Sequence, residues 1–406
     1  MSGGEESQWE QSGLRTKAIH AGEGIDPNTG ASAPNLVMST TFAMSQPGGF
    51  SISDFEGDDA PFIYSRWGNP TVRQLEEKLA VLENAQDCIA FASGMAATAG
   101  LLLGTLDSGD HLVISDTNYA GTAELVRQTL PRMGIQVSIV DTSDIQSVRC
   151  AMRDATKMLW IETPANPILR LSDIAELAEA AHEYGASLAV DSTFATPIAT
   201  RPIELGADYV VHSLTKYIGG HGDALGGAVL GDKKSLTRLR NEALVHQGGV
   251  LSPFNAWLIA RGAATLPLRM QAHEANALVI AEFLESHPRV THINYPGLPA
   301  HPQHELAKRQ MANFSGMISF QTGQGAELAR RMAQELDIIH YAVSLGHHRS
   351  LICWIATDDI MASTFQLPDR QLEAYRSFAG DGLFRLSVGL EDPEDLCRDL
   401  DRVLTG

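Results

Sequence analysis

A lysine followed by glycines is the residue of this chain with the clearest capacity for chemistry. Lys216 lies in the stretch VHSLTKYIGGHGD at 211–223, after an apolar run and beside two hydroxyl residues, Ser213 and Thr215. An amine at the buried end of a strand is partly desolvated, which favours its neutral form and equips it to form a Schiff base with an aldehyde. A lysine whose stem lies along a strand end while its ammonium reaches water would show the same pattern.

An aspartate lies upstream at the end of another apolar run. Asp191 closes the stretch LAVD at 188–191. In an open α/β sheet the carboxyl ends of the strands face the ligand crevice, and a buried carboxylate there needs a cation such as a protonated pyridine nitrogen to stay ionised. The alternative is that Asp191 caps the next helix.

A third stretch, FASGMAA at 91–97, passes from a strand into a helix through small residues. Free amides and the helix dipole at such a start bind phosphate, although close packing of strand and helix also favours small residues. Together, a Schiff-base lysine, a strand-end aspartate and a phosphate cradle describe a pyridoxal phosphate site.

Composition narrows the class of protein. The chain has 406 residues, 30 Lys and Arg against 49 Asp and Glu, and a net charge of −19, so we expect no nucleic-acid or membrane partner. It shows no apolar run long enough to cross a bilayer and no signal peptide, and its four dispersed cysteines suit a reducing cytoplasm. We expect no metal site, and we interpret His301 and His304 as surface loop residues.

The apolar runs alternate with helical patterns, which predicts a mostly parallel central sheet with helices on both faces. The predicted strands lie at 88–92, 111–115, 136–140, 158–161, 187–191, 208–212 and 226–230. After about residue 251 longer helical stretches and strands near 316–321 and 383–388 indicate a smaller C-terminal α+β domain. We therefore predict an extended arm over 1–65, a cofactor-binding α/β domain over 66–255 and an α+β domain over 256–406.

Two helices have legible ends. Asn69 and Pro70 predict a helix start with Asn69 as the cap. Ser172 is the predicted cap of a second helix, which Gly185 should end.

With these motifs in order along nearly the whole chain, the sequence resembles the Cys/Met-metabolism, or trans-sulfuration, family of fold-type I pyridoxal phosphate enzymes. The family's cystathionine enzymes, methionine and canavanine γ-lyases and O-acylhomoserine sulfhydrylases are mostly tetramers built from active dimers. The resemblance implies the fold-type I architecture, pyridoxal 5′-phosphate as cofactor, an amino-acid substrate and a homo-oligomer.

The resemblance also implies residue roles. Lys216 would bind the cofactor aldehyde and move protons, Asp191 would pair with the pyridine nitrogen, and Tyr119 would stack on the ring and act as an acid or base. The remaining roles comprise phosphate ligands at Gly94, Met95, Ser213 and Thr215, phosphate contacts from a neighbouring subunit at Tyr64 and Arg66, a residue beside the phenolic oxygen at Asn166, a serine near the lysine amine at Ser344, and the substrate α-carboxylate site at Arg385.

Departures from the family pattern bear on the substrate. Gly121 stands where methionine γ-lyases usually have a cysteine, and Arg349 stands where cystathionine enzymes usually have a glutamate. The expected reaction is γ-elimination from an amino acid with an S- or O-linked group at Cγ, such as methionine, canavanine or a substituted homoserine. The alternatives are a γ-replacement enzyme of the sulfhydrylase or cystathionine γ-synthase type, an aminotransferase, and a cofactor-binding regulator that has lost catalysis.

Overall fold

The structure is a computed structural model that describes residue 9 and residues 11–44, 61–363 and 366–406. Its helices are α1 (Leu14–His20), α2 (Pro70–Glu83), α3 (Gly94–Thr105), α4 (Ala120–Gln128), α5 (Ile145–Ala151), α6 (Ile174–Glu183), α7 (Thr196–Ala199), α8 (Lys233–Arg240), α9 (Pro253–Ala264), α10 (Leu266–Ser286), α11 (His304–Gln310), α12 (Gly325–Glu335), α13 (Thr357–Ser363), α14 (Asp369–Ala379) and α15 (Pro393–Thr405). A π-helical turn, Asn241–His246, follows α8, and 3₁₀ turns lie at Leu130–Met133 and Pro202–Leu205.

The strands form two sheets. They are β1 (Asp87–Phe91), β2 (His111–Ser115), β3 (Gln136–Val140), β4 (Thr156–Glu162), β5 (Ser187–Asp191), β6 (Tyr209–His212), β7 (Gly227–Gly231), β8 (Val290–Asn294), β9 (Met317–Thr322), β10 (His340–Tyr341), β11 (Leu351–Ala356) and β12 (Gly382–Ser387). The larger sheet has seven strands in the order β1-β7-β6-β5-β4-β2-β3, and the smaller has five in the order β10-β11-β12-β9-β8.

The larger sheet is mostly parallel, as predicted. The pairs β6–β5, β5–β4, β4–β2 and β2–β3 are parallel, whereas β7 is antiparallel to both β6 and β1. All seven runs that the sequence indicated become its strands, three with the predicted bounds and four with ends that differ by one or two residues.

Helices cover both faces of this sheet, as the alternating packing of side chains along β4 shows. In β4, Met158 and Trp160 pack into one hydrophobic cluster while Leu159 and Ile161 pack into another. Helices α3 and α8 contribute to the first cluster, and α5 and α6 contribute to the second. Because both faces are buried, these strands read as continuous apolar runs.

The smaller sheet lies C-terminal in the chain and contains both parallel and antiparallel pairs. The pairs β11–β12, β12–β9 and β9–β8 are antiparallel, whereas β10 is parallel to β11. Helices α10, α12 and α15 pack on this sheet through a core that includes Phe320 and Phe384. An α+β unit therefore exists where the sequence indicated one, while the boundary at 255/256 stays a prediction.

The two predicted helix starts have different outcomes. Asn69 caps α2, and its side chain accepts hydrogen bonds from Thr71 N at 2.9 Å and Val72 N at 3.4 Å. Ser172 does not cap α6: Asp173 does, through Glu176 N. The Ser172 hydroxyl is instead engaged with Thr142 Oγ1 at 2.8 Å.

Two further expectations need correction. The predicted arm is not extended throughout, because α1 is helical and Lys78 Nζ holds it through the carbonyls of Ala18 and Ile19; residues 1–8, 10 and 45–60 of that arm lie outside the described residues. His301 is buried rather than on the surface, since its ring packs against Phe378. None of the described helices is long and apolar enough to span a membrane.

Candidate active site

The carboxyl ends of four neighbouring strands bring the candidate residues together. β6, β5, β4 and β2 are adjacent and parallel, so the segments that follow His212, Asp191, Glu162 and Ser115 emerge at one edge of the sheet. Ligands of open α/β sheets bind at this edge. Lys216, four residues after β6, lies there.

The Lys216 amine is largely desolvated. Its Nζ donates to Ser344 Oγ at 3.1 Å. Burial, and to a smaller extent the nearby Arg385 charge, lower the pKa of Lys216 to about 8. A lysine in this state supplies a partly neutral, nucleophilic amine near physiological pH.

The backbone around Lys216 is fixed by a buried arginine that the sequence analysis did not identify. Arg269 on α10 donates to Tyr217 O at 2.6 Å, Ile218 O at 3.1 Å and Gly262 O at 2.8 Å. Gly220 has a φ of +71°, and a Cβ there would lie 2.1 Å from Arg269 Nη1. The glycines after the lysine therefore let the guanidinium reach the loop carbonyls.

Asp191 lies at the end of β5 with one oxygen engaged. Its Oδ1 accepts from Thr193 N at 3.1 Å and Thr193 Oγ1 at 2.6 Å, and in the described part of the chain no hydrogen bond is recorded to Oδ2. Thr193 Oγ1 also accepts from Ser213 N at 2.9 Å, which ties the two strand ends together. Burial raises the pKa of Asp191, and the Thr193 hydrogen bonds oppose that rise.

The third stretch forms the expected strand-to-helix turn. Ser93 caps α3, and its Oγ accepts from Ala96 N at 3.1 Å. A Cβ on Gly94 would lie 2.9 Å from Ser213 Cβ and Oγ, so the start of α3 and the segment after β6 approach closely. Thr215 faces Gly226 instead: its Oγ1 donates to Gly226 O at 3.2 Å and accepts from Gly226 N at 3.1 Å.

A second buried carboxylate, Glu162, supports two of the predicted site residues. Its Oε2 accepts from Tyr119 N at 2.7 Å and its Oε1 accepts from Asn166 N at 3.0 Å. Glu162 pairs in register with Asp191, and burial followed by that negative neighbour raises its pKa well above the ordinary value. The sequence did carry a signal for Glu162, because it is an acidic residue at the end of an apolar run, as Asp191 is.

Tyr119 directly precedes α4 as its N-cap residue and is half exposed. A Cβ on Gly121 would lie 2.7 Å from Tyr119 Cε1 and 2.9 Å from Met95 Sδ. The absence of a side chain at 121 therefore permits this placement of the tyrosine ring, and it brings Met95 into the same region.

Arg385 reaches the site from β12 of the smaller sheet. Its Nη1 donates to Asn166 Oδ1 at 2.9 Å and its Nη2 donates to Ser344 O at 3.1 Å. Ser344 has a φ of +89°, a strained conformation for a residue with a side chain. The structure thus brings Lys216, Ser344, Arg385 and Asn166 together.

Tyr64 and Arg66 lie elsewhere in the chain. The Arg66 guanidinium lies 5.5 Å from the Tyr64 ring centroid and donates to Val245 O. Among the described residues, no contact is recorded between this pair and Lys216, Asp191 or Arg385. This chain does not bring its own Tyr64 and Arg66 to the Lys216 site.

Comparison with known proteins places the chain in a large group of relatives. A profile of the family described as Cys/Met metabolism PLP-dependent enzyme matches residues 15–405. Canavanine gamma-lyase of Pseudomonas canavaninivorans is 41% identical over 392 residues, which are 96% of this chain and 95% of that protein. Cystathionine gamma-synthase of Mycobacterium bovis is 42% identical over 398 residues, which are 97% of each.

A solved structure is similar as well. The crystal structure of metB from Corynebacterium glutamicum superposes with a TM-score of 0.86 at 39% identity, covering 97% of this chain and 98% of that one. The expected family, fold type and cofactor are thereby confirmed.

The residues at the strand ends fit pyridoxal phosphate. Lys216 offers a partly neutral amine to an aldehyde, Asp191 keeps one carboxylate oxygen free of recorded protein partners, and the Gly94 turn is a cradle that a side chain would fill. An amine, an anionic oxygen and a helix start are complementary to the aldehyde, the pyridine nitrogen and the phosphate, respectively.

The lowered pKa of Lys216 predicts how the cofactor-free protein takes up pyridoxal phosphate. Because only the neutral amine attacks the aldehyde, the uptake rate should rise about tenfold per pH unit below pH 8 and level off above it. Stopped-flow absorbance at the wavelength of the bound cofactor measures this rate.

Arg385→Leu removes a positive charge near the amine and should move the midpoint of this profile to higher pH. Lys216→Ala, which lacks the amine, is the control and should show no covalent uptake. A wild-type profile that keeps rising to about pH 10, the range of an exposed lysine, would contradict the lowered pKa.

Proposed function

The chain belongs to the Cys/Met metabolism family of pyridoxal-phosphate-dependent enzymes, and we propose that it catalyses γ-elimination from an L-amino acid with an S- or O-linked leaving group at Cγ. Methionine, canavanine and substituted homoserines are the candidate substrates. Bound cofactor supplies an electron sink for the negative charge that develops at the substrate Cα.

We assign the cofactor's contacts to residues at the strand ends. Lys216 would hold the aldehyde carbon, and Asp191 the pyridine nitrogen. Tyr119 and Asn166, which Glu162 fixes through their backbone amides, would lie beside the ring. The phosphate would be held by Gly94, Met95, Ser213 and Thr215, with Tyr64 and Arg66 of a neighbouring copy.

Lys216 is the base of the proposed reaction. At pH 7 a pKa of about 8 leaves about a tenth of the amine neutral, enough to accept a proton at Nζ without a large energetic cost. Lys216 Nζ would take the Cα proton and then a Cβ proton. Ser344 Oγ, which accepts a hydrogen bond from Nζ, orients it.

Arg385 would bind the substrate α-carboxylate. Asn166 Oδ1 and Ser344 O each accept one hydrogen bond from its guanidinium, so the planar group is oriented before a substrate arrives. Two parallel donors match a carboxylate, which suits arginine better than lysine. Tyr119, with its ring half exposed beside Gly121, would donate a proton to the leaving group.

The loop that follows Ser344 supports elimination over synthesis or cleavage of cystathionine. In this loop His347, His348 and Arg349 stand in succession, and Arg349 is exposed. Cystathionine carries a second ammonium group, which the Arg349 guanidinium would repel. The presence of Arg349 in this loop, two residues after the His347 that Ser344 joins to Lys216, is the observation that carries the proposal.

The second candidate is γ-replacement, in which a thiol or sulfide adds at Cγ after the leaving group departs. Similarity to a cystathionine gamma-synthase over nearly the whole chain favours this candidate. Both candidates need the same early proton transfers, and they differ in whether a second substrate is captured.

An amino-acid panel tests elimination. The purified holoenzyme is incubated with methionine, canavanine, O-acetylhomoserine and cystathionine, each with and without cysteine or sulfide. 2-Oxo acid, ammonia, homoserine and thioether are measured. We expect at least one of the first three to lose its leaving group without a thiol, with little change when thiol is added, and cystathionine to be the poorest substrate.

Arg349→Glu is the matched variant, because it restores the residue usual in cystathionine enzymes. It should raise turnover of cystathionine relative to the other substrates. Product that forms only with thiol present, as a thioether, would contradict elimination and support γ-replacement.

We also propose that the active site is completed by a second copy of the chain, in an oligomer that we expect to be a tetramer. The support is that Arg66 lies over the Tyr64 ring and donates to Val245 O of its own chain, and that no contact of this pair with Lys216 is recorded among the described residues. Symmetric homo-oligomers are common among soluble enzymes, and a shared site would exchange these residues between two copies.

Subunit mixing tests the shared site. Arg66→Ala and Asp191→Ala are each expected to be nearly inactive. In a mixed dimer one site carries both changes and the other carries neither, so random mixing should restore about a quarter of wild-type activity. Activity is measured before and after unfolding and refolding the two variants together. No recovery, with mixed oligomers present by native mass spectrometry, would rule out the shared site.

A further inference from the structure

His347 lies next to the catalytic lysine without a role in the chemistry assigned so far. It is half-buried on the loop after Ser344, between Gly346 and His348. Its ring packs against Gly222, where a Cβ would lie 2.7 Å from the ring atoms Cε1 and Nδ1. Because Gly222 also has a φ of +72°, the glycine suits this position both sterically and conformationally.

Hydrogen bonds join His347 to Lys216 in two steps. Lys216 Nζ donates to Ser344 Oγ at 3.1 Å, and Ser344 Oγ lies 3.3 Å from His347 Nε2. A serine hydroxyl both donates and accepts, so it can accept from the amine and donate to an imidazole whose Nε2 is unprotonated. The three groups form a continuous path from the amine to the ring.

The backbone holds this path in place. Arg385 Nη2 donates to Ser344 O at 3.1 Å, Gly346 N donates to Ser387 Oγ at 2.8 Å, and His348 N donates to Gly220 O at 2.9 Å. The loop is therefore attached to β12 and to the segment after Lys216. The strained φ of Ser344 is maintained by these contacts and aims its hydroxyl between the two nitrogens.

The charges around His347 favour its neutral form. Burial lowers the pKa of His347, and the positive charges of Lys216, His348 and Arg349 lower it further, while Asp223 opposes them. The lowered pKa keeps Nε2 unprotonated before the transfer but makes the imidazole a weaker base than the Lys216 amine, so the imidazolium forms only transiently. Asp223 is the nearby anion that stabilises this imidazolium.

We propose that Ser344 and His347 form a relay that takes a proton from Lys216 Nζ. The Nζ proton moves to Ser344 Oγ while the hydroxyl proton moves to His347 Nε2, so Lys216 recovers its lone pair, Ser344 is unchanged and His347 becomes an imidazolium. Loss of that proton to water restores neutral His347. His347 acts on Lys216 only through Ser344, so it is a positioning residue and does not itself touch the substrate.

The relay rests on the proposed function, since γ-chemistry takes a proton from Cα and then one from Cβ. A single amine can act as base twice only if it releases the first proton. With the relay, the amine becomes neutral again without opening the site to water.

Proton exchange in D₂O tests the relay without a leaving group. The holoenzyme is incubated with L-norvaline, and ¹H NMR follows replacement of its α- and β-protons by deuterium. The ratio of β- to α-exchange reports whether Lys216 releases the first proton before it takes the second. A general loss of folding or of cofactor would lower both exchange rates together and leave the ratio unchanged.

We expect His347→Gln to lower this ratio about tenfold or more, and Ser344→Ala to do the same. The double variant should be no lower than either single variant, because one path is interrupted twice. His348→Gln is the matched control. The His348 ring packs against His221 at a centroid distance of 5.7 Å with the planes tilted by 43°, and it does not lie on the path, so the ratio should change less than about twofold.

An unchanged ratio in both His347→Gln and Ser344→Ala would overturn the relay. So would normal exchange combined with slower release of the leaving group in His347→Gln, which would assign His347 to the leaving group. Failure of the proposed function would be seen separately, as absence of elimination products in the amino-acid panel while both exchanges remain intact.

A second measurement needs no turnover. Exchange of each imidazole Cε1 proton for deuterium, followed by peptide mass spectrometry across a pH series, gives the pKa of each histidine. Lys216→Met removes the positive neighbour and should raise the pKa of His347. Equal values for His347 in the wild-type and Lys216→Met proteins would show that the two groups are not linked and would overturn the proposal.

Discussion

The burial of one amine that has no carboxylate partner among the described residues is the constraint on which this site depends. Lys216 is held beyond a strand end with a serine hydroxyl as its hydrogen-bond partner and an arginine as a charged neighbour. Desolvation and like charge both disfavour the ammonium, so the pKa falls to about 8. A carboxylate in the position of Ser344 would have reversed this effect and kept the amine protonated.

The fold meets this constraint by joining two sheets at one place. The parallel strands β4, β5 and β6 supply Glu162, Asp191 and the segment that carries Lys216, and β12 of the smaller sheet supplies Arg385. Arg269 fixes the backbone after the lysine from a helix between the two sheets. The guanidinium of Arg269 is itself buried, and burial lowers its pKa to about 10. Holding this loop therefore carries a desolvation cost that reduces the free energy of folding.

The sequence predicted the elements whose pattern is local. Seven strands of the larger sheet, the Asn69 cap and the positions of Lys216 and Asp191 at strand ends all follow from apolar runs and neighbouring residue types. What it missed depends on long-range packing. The Asp173 cap displaced Ser172 because Thr142 engages the serine hydroxyl, and His301 is buried by contacts with Phe378. The position of Glu162 at a strand end is visible in the sequence, but the backbone groups that Glu162 and Arg269 bind belong to other segments, and no local pattern encodes those partners.

We propose that the Lys216 amine carries the cofactor. Borohydride reduction of the holoenzyme, followed by proteolysis and mass spectrometry, locates the reduced cofactor on a single side chain. We expect a phosphopyridoxyl label on Lys216 and on no other lysine. A label on a different lysine would contradict this assignment. So would a cofactor that stays unreduced and can still be removed completely from the protein.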